Sequence, residues 1–194
     1  MISCIILAAG ESARFNSPKA LAKIGSKTIL HRLQEELLSS KVDEIIVVLG
    51  AWADQLKPCL LDHKNIQFVY NKDYKFGQTS SFKAGLRGVS KESKGVMLLP
   101  VDFPLIDKKI VDFLCAAFAK ENYQKIIIPS FHLKKGHPPI FPIALKKDFL
   151  GLKNDEGLNM VALNQPENTV IISIDHPAVI KTFNTQQELQ DILK

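Results

Sequence analysis

Residues 2–19 read ISCIILAAGESARFNSPK. The apolar, β-branched segment up to Leu7 predicts a buried strand, and the small residues Ala8–Gly10 predict a tight turn directly after it. Small side chains let backbone N–H groups approach an anion closely, and Arg14 and Lys19 supply the positive charge that a polyphosphate needs. A plain strand-to-helix turn with two solvated cations is the competing interpretation. Because ligands of α/β sheets sit at the carboxyl ends of strands, we favour a phosphate site.

The composition is that of an ordinary globular protein. Of the 194 residues, 46% are hydrophobic and 23% are charged, which argues against disordered and fibrous classes. A chain of this length predicts one domain over residues 1–194. The net charge of +5 suits an anionic substrate, but few aromatic residues accompany the basic ones, so we expect no nucleic-acid partner.

The cysteines and the apolar segments indicate where the protein resides. Cys4, Cys59 and Cys115 lie far apart in apolar sequence, which predicts reduced, buried thiols and neither a disulfide nor a zinc site. The apolar N-terminal segment lacks a basic region, and no apolar run approaches the roughly 18 residues of a membrane span. We therefore expect a cytoplasmic protein without a membrane partner, and a monomer.

The remainder of the chain alternates between strand and helix patterns. Helical spacing of apolar residues behind Thr28 predicts a helix over 28–40, and a shorter helix is predicted over 51–62 with a disturbance at Pro58. Apolar strand patterns occupy residues 44–49, 66–70, 96–101, 125–129 and 169–174. Strands that alternate with helices predict an α/β fold around a parallel sheet.

A single carboxylate follows the strand pattern at 96–101. Asp102 stands at the carboxyl end of that strand, and Pro104 stiffens the turn beyond it. Such a carboxylate suits Mg²⁺, which needs one or two protein oxygens and completes its octahedron with water and phosphate. A purely local turn or capping role is the alternative. Asp107 is the better capping candidate, because a helical stripe of apolar residues starts directly after it.

A second glycine-containing segment, Gly77–Ser81, follows the strand pattern at 66–70. It reads GQTSS and precedes a helical pattern, so we predict a loop that passes into a helix N-terminus. Free N–H groups at such a position can bind a ligand. A plain N-cap explains the same residues without a ligand.

These motifs resemble a known family. The segment LAAGESARFNSPK resembles the signature of nucleotidyltransferases with a Rossmann-like core, which reads LAAG or LAGG, three residues, Arg-Met-Gly and then Lys; here Phe15 and Asn16 replace Met-Gly. GQTSS and Gly136-His137-Pro138 resemble segments of the molybdenum cofactor cytidylyltransferase group. The ending Asn184-Thr185 resembles the [DN]-T-P-E motif of many nucleotidyltransferases, in which the threonine caps the last helix. The glycine motifs GxGxxG and GxxxxGK[ST] are absent.

The resemblance implies a three-layer, Rossmann-like nucleotidyltransferase fold, with a mostly parallel central sheet and helices on both faces. It implies Mg²⁺-dependent transfer of a nucleoside monophosphate from a nucleoside triphosphate to a phosphate-bearing acceptor such as molybdopterin, with release of pyrophosphate. In these families LAAG accompanies cytidine transfer and LAGG guanosine transfer, so Ala9 favours CTP. A sugar phosphate or another small metabolite as acceptor, GTP as donor, and a non-catalytic nucleotide-binding module remain alternatives. The missing GxGxxG disfavours a dehydrogenase.

The resemblance also assigns residues to roles. It makes Arg14, Lys19 and Asp102 catalytic, gives Asp102 and Asn184 to the metal, and gives Gly136 and His137 to the acceptor. A structural role for His137 and a turn role for Asn184 are the alternatives. Asn159 stands where the group has an arginine, which leaves the acceptor open. The residues assigned to the nucleotide are Leu7, Ala8, Ala9, Gly10, Arg14, Lys19, Gly77, Gln78 and Ser80.

Overall fold

An eight-stranded sheet forms the centre of the molecule, and a two-stranded ribbon lies outside it. The structure is a computed structural model that describes residues 1–15 and 17–194, so Asn16 of the signature lies outside the described residues. The strands are β1 (Ile2–Ala8), β2 (Lys23–Ile24), β3 (Lys27–Thr28), β4 (Glu44–Leu49), β5 (Ile66–Tyr70), β6 (Gly95–Pro100), β7 (Ile126–Phe131), β8 (Lys134–Lys135), β9 (Ile140–Pro142) and β10 (Thr169–Ser173). The helices are α1 (Ile29–Leu38), α2 (Ala53–Leu56), α3 (Gly77–Gly88), α4 (Lys108–Lys120), α5 (Lys146–Gly151), α6 (Asn159–Leu163) and α7 (Gln186–Ile192).

The sheet order places four strand ends side by side. The order is β10-β7-β9-β6-β1-β4-β5, with β8 paired to β7. The strands β1, β4, β5 and β6 are mutually parallel, whereas β9 runs antiparallel to both β6 and β7. The carboxyl ends of β1, β4, β5 and β6 therefore meet at one edge of the sheet, where α/β proteins place their ligands.

Strand β1 shows why helices cover both faces. Because side chains alternate along a strand, Cys4 and Ile6 join the core on the side of α1 and α4, while Ile5 and Leu7 join the core on the side of α3 and α5. All seven residues of β1 are buried, as expected for a strand covered on both faces. The predicted α/β architecture, a mostly parallel sheet between two helical layers, is confirmed. No helix in the described part of the chain is both long and apolar enough to cross a bilayer.

Three local predictions differ from the structure. The helix predicted over 51–62 is reduced to α2, because Pro58 lies in a 3₁₀ turn over Lys57–Cys59 directly after it. Cys59 in that turn is partly exposed, whereas Cys4 and Cys115 are buried as predicted and all three thiols are free. Residues 77–81 form the first turn of α3 and not a loop. Gly77 adopts a φ of +86° where the helix begins, and the side-chain amide of Asn71 donates to the hydroxyls of Ser80 and Ser81 at 3.0 and 3.1 Å.

The predicted cap at Asp107 allows a direct test of stability. Its Oδ1 accepts a hydrogen bond from the N–H of Ile110 at 2.9 Å, at the start of α4. We expect Asp107→Ala to lower the free energy of unfolding by about 1 kcal/mol, because an N–H of the first turn loses its partner. Urea unfolding measures the change, and Asp107→Ser, which retains a capping oxygen, is the control. Equal stability of the alanine and serine variants would contradict the capping role.

Candidate active site

A cavity of about 240 Å³ opens at the sheet edge where β1, β4 and β6 end. Its floor is the segment Leu7, Ala8, Ala9 and Gly10, and one wall is formed by Gly77 and Gln78 at the start of α3. Lys19 and Asp102 line its opposite side. The structure thus brings together eight of the sequence-predicted residues, although the two glycine-containing segments lie 60 or more residues apart in the sequence.

The loop after β1 presents backbone donors beside this cavity. Ser12 adopts a φ of +53°, its carbonyl accepts from the N–H of Phe15 at 2.8 Å, and its hydroxyl accepts from the N–H of Lys19 at 3.3 Å. Within residues 1–15 and 17–194, the N–H groups of Gly10, Glu11 and Ser12 donate to no protein acceptor. Consecutive free N–H groups around a left-handed residue make an anion-binding concavity.

The predicted charged residues converge beside the loop. The Nζ atom of Lys19 lies 3.0 Å from Oδ1 of Asn184, 2.7 Å from the carbonyl oxygen of Phe183 and 3.5 Å from Oδ2 of Asp102. Nη2 of Arg14 donates to the same Oδ1 of Asn184 at 3.0 Å. Two cations and two potential metal ligands therefore lie close together, and two of these four residues, Lys19 and Asp102, line the cavity.

The C-terminal segment reaches this region through one aromatic side chain. Phe183 is fully buried and packs edge-on against Phe15, with ring centroids 5.4 Å apart. The Nζ atom of Lys19 lies 5.3 Å from the centroid of the Phe183 ring. Thr185 then caps α7 by accepting from the N–H of Glu188 at 3.2 Å. This packing fixes the backbone on both sides of Asn184, whose Oδ1 atom lies 3.0 Å from the Nζ atom of Lys19.

The oxygen donors fit a divalent cation whose remaining ligands come from a substrate. Oδ2 of Asp102 and Oδ1 of Asn184 lie 3.5 and 3.0 Å from one atom, the Nζ of Lys19, so the two oxygens face the same small region. Mg²⁺ and related hard ions take such oxygens together with phosphate and water. Among the described residues, no group of three or more His, Cys, Asp or Glu side chains could hold a metal alone.

A second cavity, of about 470 Å³, adjoins the first. Gln78 lines both cavities, so they meet at the N-terminus of α3. Gly136 and His137 line the second cavity, as does Asn159 at the start of α6. The residues assigned to an acceptor thus line a second cavity next to the first, and Asn159 contributes a neutral amide to its lining.

His137 is held as a neutral side chain. Its backbone N–H donates to the carbonyl of Val179 at 2.7 Å, and its ring lies 4.5 Å from the ring of Phe103. Burial lowers the pKa of His137, and the backbone of Leu98 and the charge of Asp102 offset this only in part. Its Nδ1 atom is buried with no partner among the described residues. A neutral imidazole with a free ring nitrogen can bind a ligand's polar group.

Some positions differ from the sequence-based assignment. Ser80 does not line the first cavity: its hydroxyl lies within hydrogen-bond distance of the carbonyl oxygens of Asp73 and Gly77, at 2.8 and 2.9 Å, and the neighbouring Ser81 lines the cavity instead. Trp52 and Tyr74 also line it, and sequence reasoning missed both. Their positions just after β4 and β5 are the signal that could have found them, since those strands end at the same edge.

Solved structures share this fold over the whole chain. Rv0371c from Mycobacterium tuberculosis H37Rv superposes with a TM-score of 0.83 at 21% identity, covering 99% of this chain and 96% of that one. The 4-diphosphocytidyl-2C-methyl-D-erythritol synthase from Anaerococcus prevotii DSM 20548 superposes with a TM-score of 0.75 at 19% identity, covering 98% and 93%. At these identities the likeness establishes the fold.

Sequence comparison identifies the family. The bifunctional protein GlmU of Francisella tularensis subsp. novicida (strain U112) is 33% identical over 117 residues, which are 58% of this chain and 24% of GlmU. The match therefore spans about a quarter of that relative. The model of the MobA-like NTP transferase domain matches residues 4–180, nearly the whole chain. On this match, together with the fold, the chain belongs to the MobA-like NTP transferase family of nucleotidyltransferases.

Proposed function

We propose that this protein is a cytidylyltransferase that transfers CMP from CTP to a phosphate-bearing acceptor such as molybdopterin and releases pyrophosphate. The observation that carries the proposal is the convergence of Arg14, Lys19, Asp102 and Asn184 beside a loop whose N–H groups at residues 10–12 have no acceptor among the described residues. This arrangement supplies positive charge, backbone N–H donors and potential metal ligands, which are the three features that bind a triphosphate. The free thiols support a cytoplasmic location for this activity.

The chemistry needs positioning more than acid–base catalysis. An oxygen of the acceptor phosphate attacks the α-phosphorus of CTP in line, and the bond from that phosphorus to the bridging oxygen of the leaving pyrophosphate breaks. The attacking phosphate is already ionised near neutral pH, so no side chain has to remove a proton. Lys19 and Arg14 bind the phosphates and neutralise the charge that accumulates on the pyrophosphate, as in phosphoryl transfer generally.

Asp102 and Asn184 would hold Mg²⁺ at the mouth of the cavity. The ion supplies further charge neutralisation for the triphosphate when it is bound. Rv0371c of Mycobacterium tuberculosis H37Rv, which shares the fold, was solved in complex with manganese, and this supports a divalent ion as the cofactor. Asp102 would provide a charged oxygen ligand to the ion, and Asn184 would provide a neutral one.

The second cavity favours an acceptor with a flat ring body over a sugar phosphate. Most of its lining is apolar and includes Leu98, Phe141, Leu158 and Ile171. Among the described residues that line it, Lys135 carries the one formal charge, which suits a single phosphate at the rim. A sugar phosphate, whose hydroxyls require many polar partners, would leave most of this surface unmatched.

CTP is expected to be the best of the four nucleoside triphosphates. The support is Ala9 in the LAAG segment and the small polar side chains that start α3. The test is a matrix of the four nucleotides against molybdopterin and a panel of sugar phosphates, measured as Mg²⁺-dependent pyrophosphate release. The highest kcat/KM should belong to CTP with molybdopterin. A clear preference for GTP would contradict the base assignment, and ligand-induced thermal stabilisation without turnover would indicate a binding module.

A further inference from the structure

We propose that Trp52 is a positioning residue, which holds the phosphate-binding loop in its active shape through the backbone carbonyl of Glu11. This inference deepens the proposed function, since it rests on the loop at residues 10–14 binding a triphosphate. The role is specific to the hydrogen bond that the indole donates. Trp52 belongs neither to the signature motif nor to the charged cluster, which consists of Arg14, Lys19, Asp102 and Asn184.

The first observation is a pair of hydrogen bonds between two loops. Trp52 follows β4, and its Nε1 atom donates to the carbonyl oxygen of Glu11 at 3.0 Å. One residue earlier, the N–H of Ala51 donates to the carbonyl oxygen of Ala9 at 3.1 Å. The turn after β4 therefore donates two hydrogen bonds to the loop after β1. A backbone N–H bonds the carbonyl of Ala9, and the indole N–H bonds the carbonyl of Glu11.

The close approach of these loops requires a glycine. A Cβ atom placed on Gly50 would lie 2.5 Å from the carbonyl oxygen of Ala9, 2.9 Å from the Ala9 Cβ and 2.8 Å from the Tyr74 Cβ. Such distances are shorter than real carbon contacts, and the first involves backbone. The backbone that carries the indole is therefore packed directly against the Ala9 backbone, at the floor of the nucleotide cavity.

The hydrogen bond at Glu11 fixes the direction of the next donor. In a trans peptide the C=O and the N–H point in opposite directions, so holding the carbonyl of Glu11 also sets where the N–H of Ser12 points. Ser12 adopts the left-handed backbone conformation, with a φ of +53°, which costs energy for a residue with a Cβ atom. A loop that contains such a residue needs contacts that hold it, and Trp52 supplies one from outside the loop.

The same contacts lead to the charged cluster. The hydroxyl of Ser12 accepts from the N–H of Lys19, whose side chain meets Asp102 and Asn184. A displaced Glu11 carbonyl would therefore move both the free N–H donors and the ammonium. The indole itself is half-buried, contacts the core and lines the nucleotide cavity, so it is placed to respond to a bound nucleotide.

Two substitutions separate the hydrogen bond from the packing. Trp52→Phe retains an aromatic ring but has no N–H, whereas Trp52→His retains a ring N–H. We expect Trp52→Phe to lower kcat/KM for CTP about tenfold, which is the loss of roughly one hydrogen bond, while the KM for the acceptor stays the same. Trp52→His should recover part of this loss. The matched control is Phe68→Leu, which should have full activity. Phe68 is an exposed aromatic residue on β5 that lines neither of the two cavities described above.

The readouts are chosen to tell the two proposals apart. Trp52 is the single tryptophan, so fluorescence of the unmodified protein reports directly on its own site when CTP and Mg²⁺ are added. Calorimetric titration with CTP and the melting temperature are recorded for each variant. A wild-type protein that binds none of the four nucleotides overturns the proposed function and this inference together. A wild-type protein that binds CTP, with folded Trp52→Phe and Trp52→His variants equal to it in kcat/KM, overturns the role of Trp52 alone.

Discussion

Lys19→Ala is expected to lower kcat roughly 10²- to 10³-fold and to change the KM for the nucleotide much less. The reason is that an interaction that strengthens as charge moves onto the leaving pyrophosphate acts on the chemical step more than on binding. The side chain of Lys19 is only 12% exposed, so its charge acts where water screens it weakly. Arg14 is exposed, and we expect Arg14→Ala to change kcat in the same direction but by a smaller factor.

The design of this experiment must separate charge from packing. Lys19→Met removes the ammonium but retains an unbranched stem beside the Phe183 ring, so it should lose as much kcat as the alanine variant with less effect on the melting temperature. Lys23→Ala removes an exposed cation four residues further along the chain and serves as the matched control. If both Lys19 variants changed only the KM for the nucleotide, Lys19 would be a binding residue and the transition-state role would be wrong.

The parts of this site that the sequence predicted share a simple physical basis. The strand β1 and the turn after it are visible because a buried parallel strand is a continuous apolar run and a turn needs small residues. Asp102 was identified because the carboxyl ends of parallel strands meet at one edge. Asp107 was identified as a cap because a polar residue before an apolar helical stripe has a local role that sequence alone reveals.

What the sequence did not reveal depends on long-range packing. Trp52 bonds a residue 41 positions away, and nothing in its own neighbourhood indicates the partner. Ser80 was assigned in place of Ser81 because successive residues of a helix point about 100° apart, and a loop was expected where the helix begins. The short strand β9 has three residues, too few for a recognisable pattern, and its antiparallel position between β6 and β7 follows from the whole sheet.

Asp102→Asn is expected to abolish most of the activity, because it removes the charged oxygen of the proposed metal site and leaves two neutral ones. Asn184→Asp should behave differently. Oδ1 of Asn184 already accepts hydrogen bonds from both Lys19 and Arg14, so an added negative charge meets two cations. We therefore expect Asn184→Asp to keep substantial activity and to bind Mg²⁺ more tightly, since it retains an oxygen ligand and adds charge.

Three measurements on the same variants decide whether these residues hold a metal. Activity is titrated against Mg²⁺, Mn²⁺ binding is followed by electron paramagnetic resonance in the presence of CTP, and melting temperatures are recorded in parallel. Asp107→Ala is the matched control, because this nearby aspartate caps α4 and its loss should lower stability by about 1 kcal/mol without any metal phenotype. If Asp102 also had only a local role, Asp102→Asn would resemble that control. An Asp102→Asn protein that turns over normally at limiting Mg²⁺ would overturn the metal assignment, and with it the view that the charged cluster is a catalytic centre.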